Sequence, residues 1–339
     1  MKKLSDRLLD KIDSVGNPCI VGLDPVPEKL PPYLLRGDSF EDIARAFRDF
    51  NFSIIDSIAD IVGIVKPQIA FYEKYSAPGL QAFKDTVEYA HSYGLIVIED
   101  GKRADISSTS EAYAQGHLGI VNTGRTTQPS LNVDLLTINP YLGTDGLDPF
   151  ITACRDHDKG VFILVKTSNP SSSQFQDRLV LISEEEERLL ISKGLKVEGN
   201  HTPLYNLVAN QVNSYAVKHI GKRGYSSIGA VVGAPFPEQA KILRKLMPQS
   251  IFLVPGYGQK QGGTAKDVVN CFNQDGYGAV INSSSSIDFA WQFENNPNDF
   301  AGASRRATQR MIYDINNALK DAGKLPKGWG NFNKNAPTR

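Results

Sequence analysis

A short charged stretch near residue 100 carries the residue types that a proton transfer needs. Asp100, Lys102 and Asp105 follow the apolar run at residues 95–98, which is typical of a buried strand. Side chains two positions apart on a strand share a face, so we expect Asp100 and Lys102 to point the same way. Two carboxylates beside one amine keep the amine charged and direct its proton. The stretch suggests a general acid, with ordinary charges on a solvated loop as the alternative.

Polar residues also stand where other apolar runs stop. Asp24 ends the first run, Lys66 the second and Asn139 the fourth, while Thr167 and Ser168 follow the fifth. Together with the stretch at residue 100, this places charges in the order Asp, Lys, Asp, Lys at three consecutive strand ends. That order is hard to explain by helix capping or isolated ion pairs. If the strands form a barrel, their carboxyl ends meet at one mouth, where polar side chains are typical of catalysis.

Eight apolar or β-branched runs in the sequence are the predicted strands that position these polar residues. They occupy residues 19–23, 61–65, 95–98, 133–138, 161–165, 228–232, 251–254 and 279–281. Helix-like patterns lie between most of them, and continuous apolar strands alternating with helices indicate a parallel sheet covered by helices. Eight strands close a (β/α)8 barrel, which typically needs roughly 250 residues. We therefore predict an α/β fold, a (β/α)8 TIM barrel, with an open doubly wound sheet as the alternative.

The chain has 339 residues, more than a plain barrel requires. Residues 168–227, between the fifth and sixth strands, are far longer than one crossover, so we expect an insertion there that acts as a lid. Within it, Ser183 followed by four glutamates predicts a helix N-cap with acids in the first turn, not a metal site. We expect one barrel domain over residues 1–325 and an irregular tail over 326–339.

Composition excludes several classes of function. With 37 basic and 37 acidic residues the formal net charge is zero, which gives no bulk attraction to nucleic acid or to an anionic membrane. The sequence has neither an apolar signal region nor a run of roughly 20 apolar residues that could span a bilayer. Its three cysteines are far apart and lack metal-ligand spacing, which indicates structural thiols in a reducing compartment. We therefore expect a cytoplasmic protein.

These residues together resemble the orotidine 5′-phosphate decarboxylase family, the last enzymes of pyrimidine nucleotide synthesis. The family signature, Asp-x-Lys-x-x-Asp followed by Ile or Thr, reads here Asp100, Lys102, Asp105 and Ile106. Asp24 and Lys66 match the acid and the lysine that precede the signature in the family. The extra sequence between the fifth and sixth strands is similar to the longer bacterial branch of the family.

The resemblance implies decarboxylation of orotidine 5′-phosphate to UMP, with no metal site and no organic cofactor. Lys102 would stabilise the carbanion that develops at C6 of the pyrimidine and then protonate it. Asp100 would face the departing carboxylate, so that like charges crowd in the ground state. Asp24 and Lys66 would hold ribose hydroxyls and complete an alternating charge network. We predict Lys66 to be a catalytic residue of this network and Asp24 to be a substrate-binding residue.

The resemblance also implies a homodimer with shared active sites. In the family, the second acid of the signature crosses to the partner subunit's site, a role that falls to Asp105 here. Ile106 and Thr109 stand beside it in the sequence and would accompany it. The expected partners are thus a second copy of the chain and a small nucleotide substrate.

Contacts to the base and the phosphate are implied in the same way. Ser168 aligns with the family serine that reads the pyrimidine edge. Gln261, Gly262 and Gly263 match the phosphate loop after the seventh strand, where glycines permit close backbone approach. These four residues complete the expected binding surface except for the loop after the eighth strand.

That last loop departs from the family pattern. Family members usually carry an arginine in a stretch resembling Asn-Ser-Ser-Arg, and this chain has Ser285 at the arginine position. An arginine gives a permanently charged bidentate contact to phosphate, which a serine cannot supply. Lys260, in the neighbouring loop, is the candidate for replacing that charge.

Two alternative functions remain open from the sequence. A metal-dependent sugar-phosphate decarboxylase or aldolase of the same superfamily shares Asp-x-Lys-x-x-Asp, but has an acid where Lys66 stands. A lysine there disfavours Mg²⁺ because it places a cation at the site. A nucleotide-binding barrel without catalysis is the second alternative, motivated by Ser285, although all four network charges are present.

Overall fold

The eight predicted strands close into a parallel barrel in the computed structural model, which describes residues 2–195, 197, 199–258 and 262–330. Within these residues each strand pairs in parallel with its neighbours in chain order, and the eighth pairs with the first. The (β/α)8 prediction is confirmed, and the open sheet is wrong. The strands are β1 (Cys19–Leu23), β2 (Ile64–Pro67), β3 (Ile96–Arg103), β4 (Leu135–Ile138), β5 (Gly160–Lys166), β6 (Ser226–Val232), β7 (Ser250–Val254) and β8 (Ala279–Ser283).

Burial on both faces explains why the strand sequences are continuously apolar. Every residue of β1, β2, β4, β6, β7 and β8 is buried. The exception that matters for function is β3, which is buried as far as Glu99 and becomes partly exposed from Asp100 to Arg103. This strand therefore continues past the predicted residue 98 and carries its charged stretch into the mouth of the barrel.

Helices cover the outside of the barrel with apolar faces. In α2, for example, Phe47, Phe50 and Ile54 are fully buried, at the three- and four-residue spacing of one helix face. The longer helices are α1 (Leu4–Val15), α2 (Phe40–Ile58), α4 (Ser76–Ser92), α5 (Ser107–His117), α6 (Thr144–His157), α7 (Glu184–Ser192), α8 (Leu204–Ala216), α9 (Pro237–Leu246) and α13 (Phe300–Asp321). Short helices are α3 (Ala70–Glu73), α10 (Ala265–Val268), α11 (Ser285–Asp288) and α12 (Ala290–Glu294).

The first helix, α1, packs against the amino-terminal end of the barrel. Leu4 and Leu8 are each 1% exposed, and the backbone N–H of Ser5 donates to Ser227 Oγ at 3.2 Å. This packing covers the bottom of the strands with apolar side chains. The polar residues at the opposite, carboxyl ends therefore form the mouth.

The insertion between β5 and β6 forms a small layer beside the mouth. Leu179–Leu181 pairs antiparallel with His201–Pro203, and α7 lies between these two strands in the chain. As predicted, Ser183 is the N-cap of α7, and its hydroxyl accepts the N–H of Glu186 in a capping box. The next helix, α8, packs on β5 and β6 and is the crossover helix of the barrel. The additional structure thus lies before α8, within the predicted range 168–227.

The start of the predicted tail packs on the barrel. Trp329 is 6% exposed, and its indole N–H donates to Asp13 Oδ1 at 3.0 Å. Residues 331–339 of the tail lie outside the described residues. In the part of the chain that the structure describes, no helix has both the length and the apolar character needed to cross a membrane.

Candidate active site

Two lysines bind one carboxylate at the mouth of the barrel. Lys66 Nζ lies 2.9 Å from Asp100 Oδ2, and Lys102 Nζ lies 2.5 Å from Asp100 Oδ1. Each oxygen of Asp100 therefore carries its own ammonium partner. The structure thus brings together three residues that the sequence predicts to act together, and it places Asp100 and Lys102 on the same side of β3.

A bulge in β3 aims these side chains into the mouth. Glu99 pairs with Leu136 of β4 and Arg103 pairs with Ile138, so three residues of β3 face one residue of β4. Lys102 adopts a φ of +48°, which is uncommon for a residue with a side chain. Bulges are frequent beside active sites because they redirect side chains. The local conformation of β3 therefore serves the site.

Thr137 holds this bulge and is a site residue that the sequence did not reveal. Its hydroxyl donates to Asp100 Oδ1 at 3.0 Å and accepts the backbone N–H of Lys102 at 2.9 Å. The sequence pattern points instead to Asn139, which is exposed and accepts the N–H of Tyr141 at 3.0 Å. The available signal was a hydroxyl residue inside an otherwise apolar strand.

Burial and ion pairing act in opposite directions on the two central groups. Burial alone would raise the pKa of Asp100, but the ammonium groups of Lys66 and Lys102 outweigh it and hold that pKa well below its usual range. Burial alone would lower the pKa of Lys66, which is 3% exposed, but the carboxylates of Asp100 and Asp24 raise it above its ordinary value. Asp100 and Lys66 are therefore both charged at neutral pH.

Asp24 lies next to this pair, beside a second carboxyl that the sequence did not indicate. It directly follows β1, whose Gly22 pairs with Lys66 of β2. The backbone N–H of Asp24 donates to Oδ2 of Asp288, a fully buried residue at the end of α11. Burial is the main cause that raises the pKa of both carboxyls, and it raises that of Asp288 well above the usual value. Five charged or titratable groups thus occupy the mouth, where four were expected.

The predicted partner-directed residues form no described ion pair with Lys66 or Lys102 of their own subunit. Asp105 Oδ1 accepts the N–H of Ile106 at 2.7 Å. The start of α5 and the start of α6 meet here, because Ser110 Oγ contacts the carbonyls of both Asp105 and Gly146. We call the resulting surface the mouth-edge patch; it comprises the half-buried Asp105 and the exposed Ile106, Thr109, Tyr141 and Leu142.

Ser168 follows β5 on a loop that a buried lysine ties down. Lys166, the last residue of β5, is 0% exposed. Its ammonium donates to Ser172 Oγ at 3.1 Å and to Asp177 Oδ1 at 2.8 Å, and it lies 4.2 Å from the centre of the Phe236 ring. A buried lysine is stable only with such partners. Lys166 thus fixes the loop that carries Ser168. The position of Lys166 at the end of an apolar run gave no indication of this role in the sequence.

Two further features position Ser168 itself. The amide side chain of Gln176 bonds both the N–H of Thr167 at 2.9 Å and its hydroxyl at 2.8 Å. A Cβ at Gly233 would lie 2.7 Å from Ser168 Cα, and one at Gly256, whose φ is +88°, would lie 2.8 Å from Ser168 Cβ. These glycines let Ser168 approach the ends of β6 and β7, which places it at the mouth as predicted.

In the loop after β7, two backbone N–H groups already form hydrogen bonds within the loop. Gly262 and Gly263 donate their N–H groups to the carbonyls of Gly258 at 3.0 Å and Gly256 at 3.1 Å. These two donors thus serve the turn itself, so the phosphate contact predicted for them needs either a rearranged turn or other donors. The neighbouring Lys260 and Gln261, which were expected to help, lie outside the described residues.

The loop after β8 supplies hydroxyl and amide groups without a cation. Ser283 Oγ and Ser286 Oγ lie 2.7 Å apart, and Asn282 donates to Ser284 Oγ at 3.3 Å. Ser285, half-buried, is the first residue of α11. The serine at position 285 therefore stands at the mouth, but its loop presents only neutral side chains before Asp288.

Comparison with known proteins gives consistent matches. The model of the "Orotidine 5'-phosphate decarboxylase / HUMPS family" matches residues 18–287. The chain is 40% identical over 319 residues to the orotidine 5′-phosphate decarboxylase of Rhodopirellula baltica, covering 92% of this chain and 98% of that protein. It is 39% identical over 311 residues to that of Petrotoga mobilis, covering 91% and 97%. The structure of Leishmania donovani OMP decarboxylase is similar with a TM-score of 0.66 and 26% identity, over 93% of this chain and 98% of that one.

Proposed function

The chain belongs to the orotidine 5′-phosphate decarboxylase / HUMPS family, and from that premise we propose that it converts orotidine 5′-phosphate to UMP and CO2. The observation that carries this proposal is the contact series Lys66–Asp100–Lys102 at the barrel mouth, with distances of 2.9 and 2.5 Å. Lys66 distinguishes this site from that of the alternative, a metal-dependent sugar-phosphate decarboxylase or aldolase. Such enzymes resemble this one but carry an acidic residue at the position of Lys66. The enzyme is a carbon–carbon lyase that acts in pyrimidine nucleotide synthesis.

Lys102 is the proton donor in this proposal. When the bond between C6 and the carboxylate breaks, CO2 leaves and the electron pair stays on C6. The ammonium of Lys102 stabilises that pair and transfers a proton to C6, and the resulting amine regains a proton from water. Its side chain is 46% exposed at the mouth and is held by Asp100, so it is both accessible to substrate and oriented.

Asp100 acts as the fixed negative charge of the reaction. Lys66, Lys102 and the Thr137 hydroxyl hold its two oxygens, so it cannot turn away when an anionic substrate arrives. Because its pKa is well below the usual range, it remains ionised beside the substrate carboxylate. Repulsion between these two anions is relieved as CO2 departs, and the fixed arrangement avoids reorganisation during the reaction.

Substrate binding divides among the other predicted residues. Asp24 and Lys66 hold ribose hydroxyls, and Ser168 reads the pyrimidine edge from the loop that Lys166 fixes. The phosphate meets the loops after β7 and β8, with Gln261, Gly262, Gly263 and Ser285 as the predicted contacts. The position of Ser168 at the mouth supports its proposed contact with the pyrimidine, and the family resemblance supports the phosphate contacts.

We also infer a homodimer with shared active sites. Asp105 makes no described ion pair with the lysines of its own subunit, which suits a residue that serves a neighbour. The mouth-edge patch exposes 51% of Ile106, 84% of Tyr141 and 45% of Leu142. Clustered apolar side chains on a surface are typical of protein interfaces. A second copy docked there would cover them and receive Asp105, Ile106 and Thr109.

The same proposal places the enzyme in the cytoplasm and uses no cofactor. All three cysteines, Cys19, Cys154 and Cys271, are free and buried, which suits a reducing compartment. The charge that stabilises the carbanion comes from lysine side chains, so the mechanism requires no metal ion. Among the described residues, no group of three or more His, Cys, Asp or Glu side chains is arranged to hold one.

Incubation of the purified protein with orotidine 5′-phosphate tests the proposed function. We expect loss of the substrate's ultraviolet absorbance with formation of UMP and CO2, at a rate that EDTA does not change. Loss of activity with EDTA would instead support the metal-dependent sugar-phosphate enzyme. Folded protein that binds UMP tightly but produces none would support the binding barrel without catalysis.

An arginine at position 285 should strengthen phosphate binding. Because the loop after β8 presents no cation, Ser285→Arg adds a charge-assisted contact where the family usually has one. We expect the Kd of UMP, measured by calorimetry, to fall by about tenfold, which corresponds to about 1.4 kcal/mol. The Kd of uridine, which has no phosphate, should stay unchanged.

Ser286→Arg is the matched control for that variant. Ser286 lies on the same short helix and is exposed, so its replacement adds the same charge one position away. If Ser285→Arg bound UMP no better than the control does, the phosphate would be held by a different group, with Lys260 as the first candidate.

A further inference from the structure

The buried carboxyl of Asp288 has no part in the function proposed above. It is 0% exposed, on the last residue of α11. One oxygen, Oδ2, accepts the N–H of Asp24 at 3.2 Å, while Oδ1 is buried with no hydrogen-bond partner among the described residues. A carboxylate buried in this way is unstable unless it is paired or protonated.

Asp24 shows the same deficiency at one of its two carboxylate oxygens, and Lys66 and the Ser284 side chain only partly offset the rise in its pKa that burial causes. Its Oδ1 is also buried and has no partner in the described part of the chain. The backbone N–H of Asp24 contacts the Asp288 carboxyl, and after burial, repulsion by the Asp24 carboxylate is among the causes that raise the pKa of Asp288. Neighbouring carboxyls in a dry environment repel each other when both are ionised, and such pairs titrate as a unit with one proton retained.

The surroundings contain too little positive charge for two ionised carboxylates. The titratable or charged groups that face the pair are Lys66 of β2, Asp100 of β3 and Tyr72 of α3. The packed helices α2 and α13 contribute neutral side chains next to these groups, because Asn51 donates to the Tyr72 hydroxyl and Ser304 donates to the Ile287 carbonyl. Lys66 is the cation within this set, and it already pairs with Asp100.

Charge balance across the mouth leads to the same conclusion. Lys66 and Lys102 are positive and Asp100 is negative. If Asp24 and Asp288 together carry one negative charge, the mouth is neutral before an anionic nucleotide arrives. If both are ionised, the mouth is negative and opposes that nucleotide. Burial raises the pKa of both carboxyls, which favours the neutral arrangement.

We propose that Asp24 and Asp288 share one proton, and that Asp288 is a positioning residue that couples nucleotide binding to the protonation of this pair. The role of Asp24 toward the ribose rests on the proposed function, whereas the shared proton does not. With the proton present, Asp24 stays beside Asp288 and accepts a hydrogen bond from a ribose hydroxyl. Without it, repulsion moves Asp24 from that position and adds negative charge to the mouth.

The direction of the pH effect follows from the raised pKa values. A carboxyl that holds its proton more strongly in the folded state stabilises that state fully below its unfolded pKa, and the contribution is lost as pH rises through the folded pKa. The wild type should therefore lose both stability and nucleotide affinity on the alkaline side. In Asp288→Asn the amide keeps the shape and an oxygen for the N–H of Asp24, but it does not titrate.

Thermal unfolding of the protein without nucleotide tests the shared proton. Between about pH 5 and pH 9 we expect the wild type to lose stability relative to Asp288→Asn, by up to about tenfold in the folding constant for each pH unit within the titration. Asp38→Asn, at an exposed acid, is the matched control and should follow the wild type. Asp24→Asn removes the neighbouring carboxyl and should also reduce the loss of stability with pH, although less than Asp288→Asn does, which keeps the test decisive if the latter folds poorly. Parallel curves for wild type and both pair variants would overturn the proposal.

Calorimetric titration with UMP, in two buffers of different ionisation enthalpy, tests the coupling. At alkaline pH the wild type should take up a proton on binding and Asp288→Asn should not, with KM more affected than kcat in turnover assays. Equal proton uptake by the two proteins would overturn the coupling. If neither protein bound UMP, the proposed function would fail, and the unfolding experiment would still decide whether the proton is shared.

Discussion

Replacing Lys102 with methionine should lower kcat by about 10⁴-fold or more while UMP binding and folding remain. The change removes both the proton donor and the charge that stabilises the carbanion at C6, and each contributes a large factor to catalysis. Asp100 keeps its ion pair with Lys66 at 2.9 Å and its hydrogen bond from Thr137, so no carboxylate is left without a partner. The binding surface should therefore survive, which separates this prediction from simple unfolding. Turnover of orotidine 5′-phosphate and calorimetry with UMP measure the two effects.

Lys84→Met provides the matched control for the same chemical change. Lys84 lies on α4, its side chain is 41% exposed, and its ammonium lies 3.9 Å from Glu88 one helical turn away. Its loss should leave kcat unchanged, because an exposed pair of this kind contributes little. If Lys102→Met kept kcat within tenfold of the wild type, Lys102 would not be the proton donor.

Two inactive variants should restore activity when they are combined in one dimer. In a heterodimer of Lys102→Met and Asp105→Ala subunits, one site carries both changes and the other carries neither, provided that Asp105 serves the partner's site. We expect each homodimer to lose about 10²-fold or more in kcat. The heterodimer should have about half the wild-type activity, because one of its two symmetric sites is intact. Co-expression with two different affinity tags, followed by tandem purification, isolates it.

The matched control combines Lys102→Met with Lys66→Met. The ammonium groups of both residues bind the same Asp100 carboxylate of their own subunit, so each site of this heterodimer stays damaged. It should therefore remain inactive. If the heterodimer with Asp105→Ala were equally inactive, the assignment of Asp105 to the partner's site would be wrong, and the mouth-edge patch would need another explanation.

Local sequence patterns were sufficient for the barrel and for its central charges. The apolar run at 19–23 coincides with β1, and the others overlap their strands, because a strand buried on both faces must be apolar throughout. The spacing of Asp100 and Lys102 was enough to place them together at one strand end. The family resemblance, which the comparisons bear out, added the identity of the reaction and the roles of Asp105, Ser168 and Gln261, which remain predictions.

The sequence could not reveal which uncharged and buried residues complete the site. Thr137 contacts Asp100 because a bulge shifts β3 against β4, and such a shift leaves no periodic signal in either strand. Lys166 is stable at the end of β5 because Ser172 and Asp177, on the following loop, fold back to it. Both depend on contacts between segments, whereas periodicity reports only what each segment does alone.

Asp288 shows the difference most clearly. In the sequence it is one acid among 37 acidic residues, two positions after a run of serines. Its significance comes from complete burial beside Asp24 and Lys66, which follows from the closure of β8 onto β1. Residue type and order determined which charges the mouth contains. Their protonation depends on desolvation and on distances across the barrel, and only the tertiary structure determines those.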